Sequence, residues 1–237
     1  MKNILIFLML GSLFSCTNLN KQDKLLTLEG ECSQAGNISK QCEIINLKGL
    51  TITEKENLMG WIYLNGTEKI EPDFDKAYYW LEKAAKLQNS EALNSLGIIY
   101  LYGLGKQKDL DIAEEYFKQA DKLGDKNAKN NLGELYRIKN KNSSAEHWFN
   151  LAIKDNPYKA YEGLSKMYIE QERFKEAYEY SEKAAELNNP EAEYNLGVFY
   201  EQGIYVKKDI KRAMYWYEKA AKQGHINAIN NLNLIKP

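Results

Sequence analysis

Small and apolar residues recur along this chain with a long, nearly fixed period, and alanine marks it most plainly. Ala77, Ala113, Ala145, Ala177 and Ala213 form one set. Ala84, Ala120, Ala152, Ala184 and Ala220 form a second, and Ala92, Ala128, Ala160, Ala192 and Ala228 a third. Each set advances by 36, 32, 32 and 36 residues. Three residues after each first alanine comes an aromatic: Trp80, Tyr116, Trp148, Tyr180 and Trp216. Alanine, aromatic and alanine at spacings of three and four share one side of a helix, which is predicted to be core. Self-similarity at this period predicts paired helices stacked into a solenoid, with small residues where helices approach closely.

A second element precedes each alanine–aromatic helix. It reads Met59-Gly60-x-x-Tyr63, Leu96-Gly97-x-x-Tyr100, Leu132-Gly133-x-x-Tyr136 and Leu196-Gly197-x-x-Tyr200, with Leu164-Ser165-x-x-Tyr168 in the fourth period. Glycine is costly inside a helix. Its use here is the close approach of a facing helix, with Ser165 the next smallest choice. These elements predict an all-α, superhelical solenoid of about five helix-turn-helix repeats from about residue 52, closed by a C-terminal capping helix from Ile226 to Ile235. Two middle turns are compact: Gly133 to Ala145 and Ser165 to Ala177 span 12 residues, against 16 for Gly97 to Ala113 and Gly197 to Ala213.

The first 50 residues carry no such pattern. Lys2 followed by the apolar run 4–10 reads as an export leader over residues 1–15, and that run is too short to span a bilayer. Leu13-Phe14-Ser15-Cys16 resembles the lipobox of bacterial lipoproteins, which implies lipidation of Cys16. Thr17 stands where an aspartate would resemble an inner-membrane retention signal. The expected location is therefore the cell envelope, anchored in the outer membrane and facing the periplasm. The alternative is an ordinary leader with a chance cysteine. Residues 16–24 read as a polar tether, and residues 25–50 as a cap on the first repeat. Cys32 and Cys42 are expected to pair in an oxidising compartment.

Charge narrows the partners. The 237 residues hold 32 Lys and Arg against 33 Asp and Glu, a net charge of -1. That balance gives no push toward nucleic acid or an anionic membrane surface. The two histidines, His147 and His225, are far apart, and both read as solvated side chains. No phosphate loop, nucleophile motif or metal-ligand spacing appears, so neither an enzyme nor a cofactor is expected.

The Leu-Gly-x-x-Tyr and alanine–aromatic elements together resemble the Sel-like repeat, a subclass of the tetratricopeptide repeats, over residues 51–237. The resemblance implies a module that binds a protein or peptide on the concave face formed by the first helix of each pair. Counted from the glycine, inward positions give the candidate groove: Trp61, Asn94, Ile98, Leu101, Tyr102, Asn130, Glu134, Arg137, Glu162, Lys166 and Tyr194. Asparagine amides there donate and accept together, which suits an extended peptide backbone. A packing role for them is the alternative. The groove grades from apolar at Trp61, Ile98, Leu101 and Tyr102 to charged at Glu134, Arg137, Glu162 and Lys166. Sel-like lipoproteins that neutralise secreted antibacterial effectors suggest a narrower, immunity role. A scaffold for an envelope complex and an envelope enzyme acting on β-lactams or peptidoglycan are the other classes.

Overall fold

A computed structural model describes residues 49–67 and 70–235. The leader, Cys16, the Cys32–Cys42 pair, the tether and nearly all of the N-terminal cap lie outside the described residues.

The described chain is all-α, and the elements are α1 (Ile52–Asn65), α2 (Phe74–Lys86), α3 (Ser90–Tyr102), α4 (Leu110–Lys122), α5 (Ala128–Ile138), α6 (Asn142–Ala152), α7 (Pro157–Glu170), α8 (Phe174–Glu186), α9 (Pro190–Gln202), α10 (Ile210–Lys222) and α11 (Ile226–Ile235). They form consecutive helix-turn-helix pairs, with α11 packed on α10 at the predicted place. The described residues divide into two compact units, with the boundary between residues 125 and 126.

Local chemistry sets where helices start and stop. Thr51 and Glu54 form a reciprocal capping box at α1. Asp73, Asn89, Asp109, Asn156, Asn189 and Asp209 each accept a backbone N–H in the first turn of the helix that follows. Gly103 and Gly203 end α3 and α9 in the left-handed conformation, which glycine adopts without steric cost.

All fifteen ladder alanines are buried. The facing helix, however, is met by a different column from the one predicted. Four residues after each first alanine come Leu81, Phe117, Phe149, Ser181 and Tyr217, all deeply buried. The aromatics at the third position are mostly half-buried; of these only Trp80 joins the core. The reason is the glycine. A Cβ on Gly97 would come within 2.5 Å of the Phe117 ring, and in the second unit Phe149 is held between Gly133 of α5 and Gly163 of α7. The fourth pair replaces this ring-on-glycine contact by two small polar groups. Ser165 and Ser181 hydrogen-bond at 2.7 Å, and Ser181 also donates to the Ala177 carbonyl.

Candidate functional site

Within each unit the first helices of successive pairs touch one another: α1 with α3 in the first, and α5 with α7 and α7 with α9 in the second. Among the described residues, no two second helices approach comparably. Closer packing on the first-helix side curves each unit toward that side, so the inner surface belongs to the first helices.

The first unit carries the apolar part. Tyr102 is 43% exposed at the end of α3, and Trp61 of α1 and Ile98 of α3 are half-buried. Leu101 departs from expectation: at 1% exposure it is core and lines no surface. Asn94 is also buried. Lys55 and Glu56 of α1 are buried charges that the sequence pattern missed. Burial pushes the Glu56 carboxyl above its ordinary range, against the opposing charge of Lys83.

The second unit carries the polar part. Arg137 of α5 grips Glu134 on its own helix at 2.6 and 2.8 Å and both oxygens of Glu170 on α7 at 2.6 and 2.7 Å. This double fork ties two first helices together. Burial alone would push the Glu134 carboxyl up, but the Arg137 fork and the charges of Arg137 and Lys166 outweigh it and hold it below its ordinary range. Lys166 is exposed. Its charge also favours ionised Glu191. Glu162 does not join this cluster. It accepts from Asn189 at 2.7 Å and from Lys159 at 3.3 Å, at the junction of α7 and α9. Tyr194 lies on α9, half-buried, with its ring 4.6 Å from that of His225.

Asn130 stands apart from these paired groups. It sits on α5, three residues before Gly133, and is 7% exposed. Neither its amide nitrogen nor its amide oxygen has a hydrogen-bond partner. Enclosing both costs free energy that a partner group would recover.

His225 corrects a second expectation. It is 8% exposed rather than solvated. Its Nδ1 accepts from the Ala228 N–H, and its Nε2 lies 3.0 Å from Glu191. The hydrogen bond to His225 is the main reason the Glu191 carboxyl sits below its ordinary range. His225 follows the second alanine of its period by five, as Asn89 and Asn189 do, and those asparagines accept from Ala92 and Ala192 in the same way. The repeat register therefore contained the signal that His225 is a helix cap. Glu193, fully buried on α9, meets Lys219 at 2.9 Å and accepts from Gln223 at 2.8 Å. His147 is exposed on α6, as expected.

Among the described residues, no group of three His, Cys, Asp or Glu side chains is placed to hold a metal ion. None of the described helices is long and apolar enough to cross a membrane.

Known proteins resemble this chain in its repeats and its fold. An uncharacterised protein of Neisseria meningitidis is 28% identical over 165 residues, which is 68% of this chain and 35% of that one. The chain spans about a third or less of the length of the curated relatives it matches. A crystallised Sel1 repeat protein from Oxalobacter formigenes superposes with a TM-score of 0.65 at 23% identity, covering 90% of this chain and 89% of that one. An immunity protein from Pseudomonas aeruginosa superposes with a TM-score of 0.55 at 20% identity, covering 79% and 72%. At these identities the two structures bear on the fold alone. The Sel1 repeat model matches residues 56–89, 90–125, 160–189 and 190–225. It passes over the α5–α6 pair, one of the two with a compact turn. The matched repeats fill more than half of the sequence, and the chain belongs to the Sel1 repeat family.

Proposed function

We propose that this chain is a non-catalytic protein-interaction module in which the first helices of each unit present an inner face to a peptide segment of a partner. The Asn130 amide carries this reading. It lies on the first helix α5 with its amide nitrogen and oxygen both buried and unpaired. A partner reaches them when the side chain turns outward, and a peptide backbone complements both groups. Exposed Tyr102, with Trp61 and Ile98, supplies apolar anchoring in the first unit. Lys166 offers a cation in the second. The test is affinity capture from envelope extract followed by identification of what is retained. Trp61→Ala with Tyr102→Ala, and separately Asn130→Leu, should each lose the specific partner while helicity is kept. Capture unchanged in both variants would refute the inner face as the binding surface.

The reading includes export and lipid attachment at Cys16, supported by the apolar run 4–10 and Leu13-Phe14-Ser15-Cys16, with the repeats held at the periplasmic side of the outer membrane. Cys16→Ala should then release the protein from the membrane fraction. Its narrower form is neutralisation of a secreted antibacterial effector. Expression of the chain should protect cells from a toxin encoded beside it, and the absence of any toxin-like neighbour counts against that form.

A further inference from the structure

The outer surface of α10 has a character that the repeat frame does not require. Tyr215 is 57% exposed at its centre. Around it, one helical turn away or on the same face, stand Lys211, Arg212, Lys219 and Lys222, with Glu218 the one acid of that helix face. Lys207 and Lys208 extend the set from the preceding loop, both exposed. Arg212 meets Asp209 at 3.6 Å, and Lys219 meets buried Glu193 at 2.9 Å. Among the described residues, Lys207, Lys208, Lys211 and Lys222 have no carboxylate within ion-pair distance. The Tyr215 ring stands edge-on to Trp216 at 5.1 Å, and the Lys219 ammonium lies 4.9 Å from the centre of the Trp216 ring. The equivalent helix α4 carries Asp111, Ile112 and Glu115 where α10 has Lys211, Arg212 and Tyr215. The equivalent positions of α8 hold Lys175 and Lys183 but also Glu176, Glu179, Glu182 and Glu186. Helix α2 carries a similar set at the equivalent positions, Lys76, Tyr79, Trp80, Lys83 and Lys86, but there Lys76 pairs with Asp73 at 3.0 Å and Lys86 with Glu82 at 3.3 Å. What distinguishes the last complete pair is its set of unpaired lysines, in a chain whose net charge is -1.

We propose that this surface docks on an anionic phospholipid bilayer. Three features favour lipid over an acidic protein. Its free cations are all lysines, whereas protein interfaces enrich arginine and deplete lysine. An ammonium on a flexible stem is a point charge that accepts phosphate from any direction. Exposed tyrosine beside tryptophan suits a boundary where one end of the ring is apolar and the other wet. From Lys211 to Lys222 the row is about 16 Å long, enough to meet several headgroups. Within the second unit, α10 is a second helix, so such docking uses the side opposite the first helices.

Vesicle co-sedimentation of the full chain tests this. Vesicles of phosphatidylcholine alone are compared with vesicles containing about a third phosphatidylglycerol, at low and high salt. Apolar contributions from other segments enter both equally, so the readout is the ratio of partition coefficients. A ratio well above one at low salt, collapsing at high salt, is expected. Lys207→Glu with Lys211→Glu and Lys222→Glu should lower the ratio by about a hundredfold, taking about fivefold for each lysine. Reversal of the exposed Lys122, Lys126 and Lys154 should leave most of it. A ratio near one for the unaltered protein overturns the proposal. So does equal loss in the two triple variants, which would make net charge the cause. Tight capture by polyglutamate with no preference for phosphatidylglycerol overturns it in favour of an acidic protein.

Discussion

Replacing Asn130 by leucine should make the protein more stable and less able to bind. The side chain is buried with both amide groups unpaired, and an unsatisfied buried polar group costs about 1–3 kcal/mol. Leucine is also the better helix former, by a few tenths of a kcal/mol. The two side chains are similar in size, so repacking costs little. A gain of about 1–3 kcal/mol corresponds to a rise in Tm of about 2–4 °C per kcal/mol for a chain of this length. Binding moves the other way. Two hydrogen bonds to a partner backbone at about 0.5–1.5 kcal/mol each amount to about 5- to 150-fold in Kd. Calorimetric unfolding and titration of the captured partner read the two effects separately. A fall in Tm of several degrees would show that the Asn130 amide is paired in the folded protein and would refute the reasoning. A higher Tm with unchanged Kd would separate the amide from binding.

Gly97→Ala should destabilise α3 against α4 despite alanine's higher helix propensity, because its Cβ would meet the Phe117 ring. A loss of about 1–3 kcal/mol is expected in denaturant unfolding, and a neutral or stabilising result contradicts the close approach. His225→Ala should cost about 1 kcal/mol through the lost cap of α11, whereas His225→Asn should keep most of it, as Asn89 and Asn189 do in their own helices; equal losses would refute the capping role. Glu134 and Glu191 are held below their ordinary values in the folded state, so their contribution is present above the unfolded pKa and is lost as pH falls through the folded one. Arg137→Met should therefore flatten the acid limb of the stability curve, and an unchanged limb would count against the fork. Tyr100 is pushed up to about 12, first by its hydrogen bond to Tyr78 and then by burial. The folded state then holds more protons than the unfolded state above pH 10, and stability should fall as pH rises there. Ultraviolet titration should show a phenol class that ionises only near pH 12 or on unfolding.

The fold was legible because repetition averages out local ambiguity. Each ladder alanine recurs five times, and each is buried. The closing helix Ile226–Ile235 lies where the pattern put it. What escaped was the contact one position away: the third and fourth residues after the first alanine both fit a helical face, and only the glycine opposite selects the fourth. The Ser165–Ser181 hydrogen bond was hidden for the same reason, since serine at the glycine position reads as merely small. Of the candidate groove, Tyr102 is exposed, whereas Leu101 is core because the face it was assigned to borders the helix interface. The Arg137 fork needed two helices placed side by side, which a linear reading of Glu134, Arg137 and Glu170 does not provide. The turn position of His225 suggests a solvated side chain, whereas the cap column of Asn89 and Asn189 points to its role.

We propose that partners are received by the first helices. Photo-crosslinking in cells tests it most directly, with a reactive residue placed singly at Ile98 and Lys166 on the inner face, or at Glu115 and Glu179 on second helices. A discrete adduct of one mass is expected from the inner positions and none from the outer ones. Adducts from Glu115 or Glu179 alone, or none from any of the four, would contradict it.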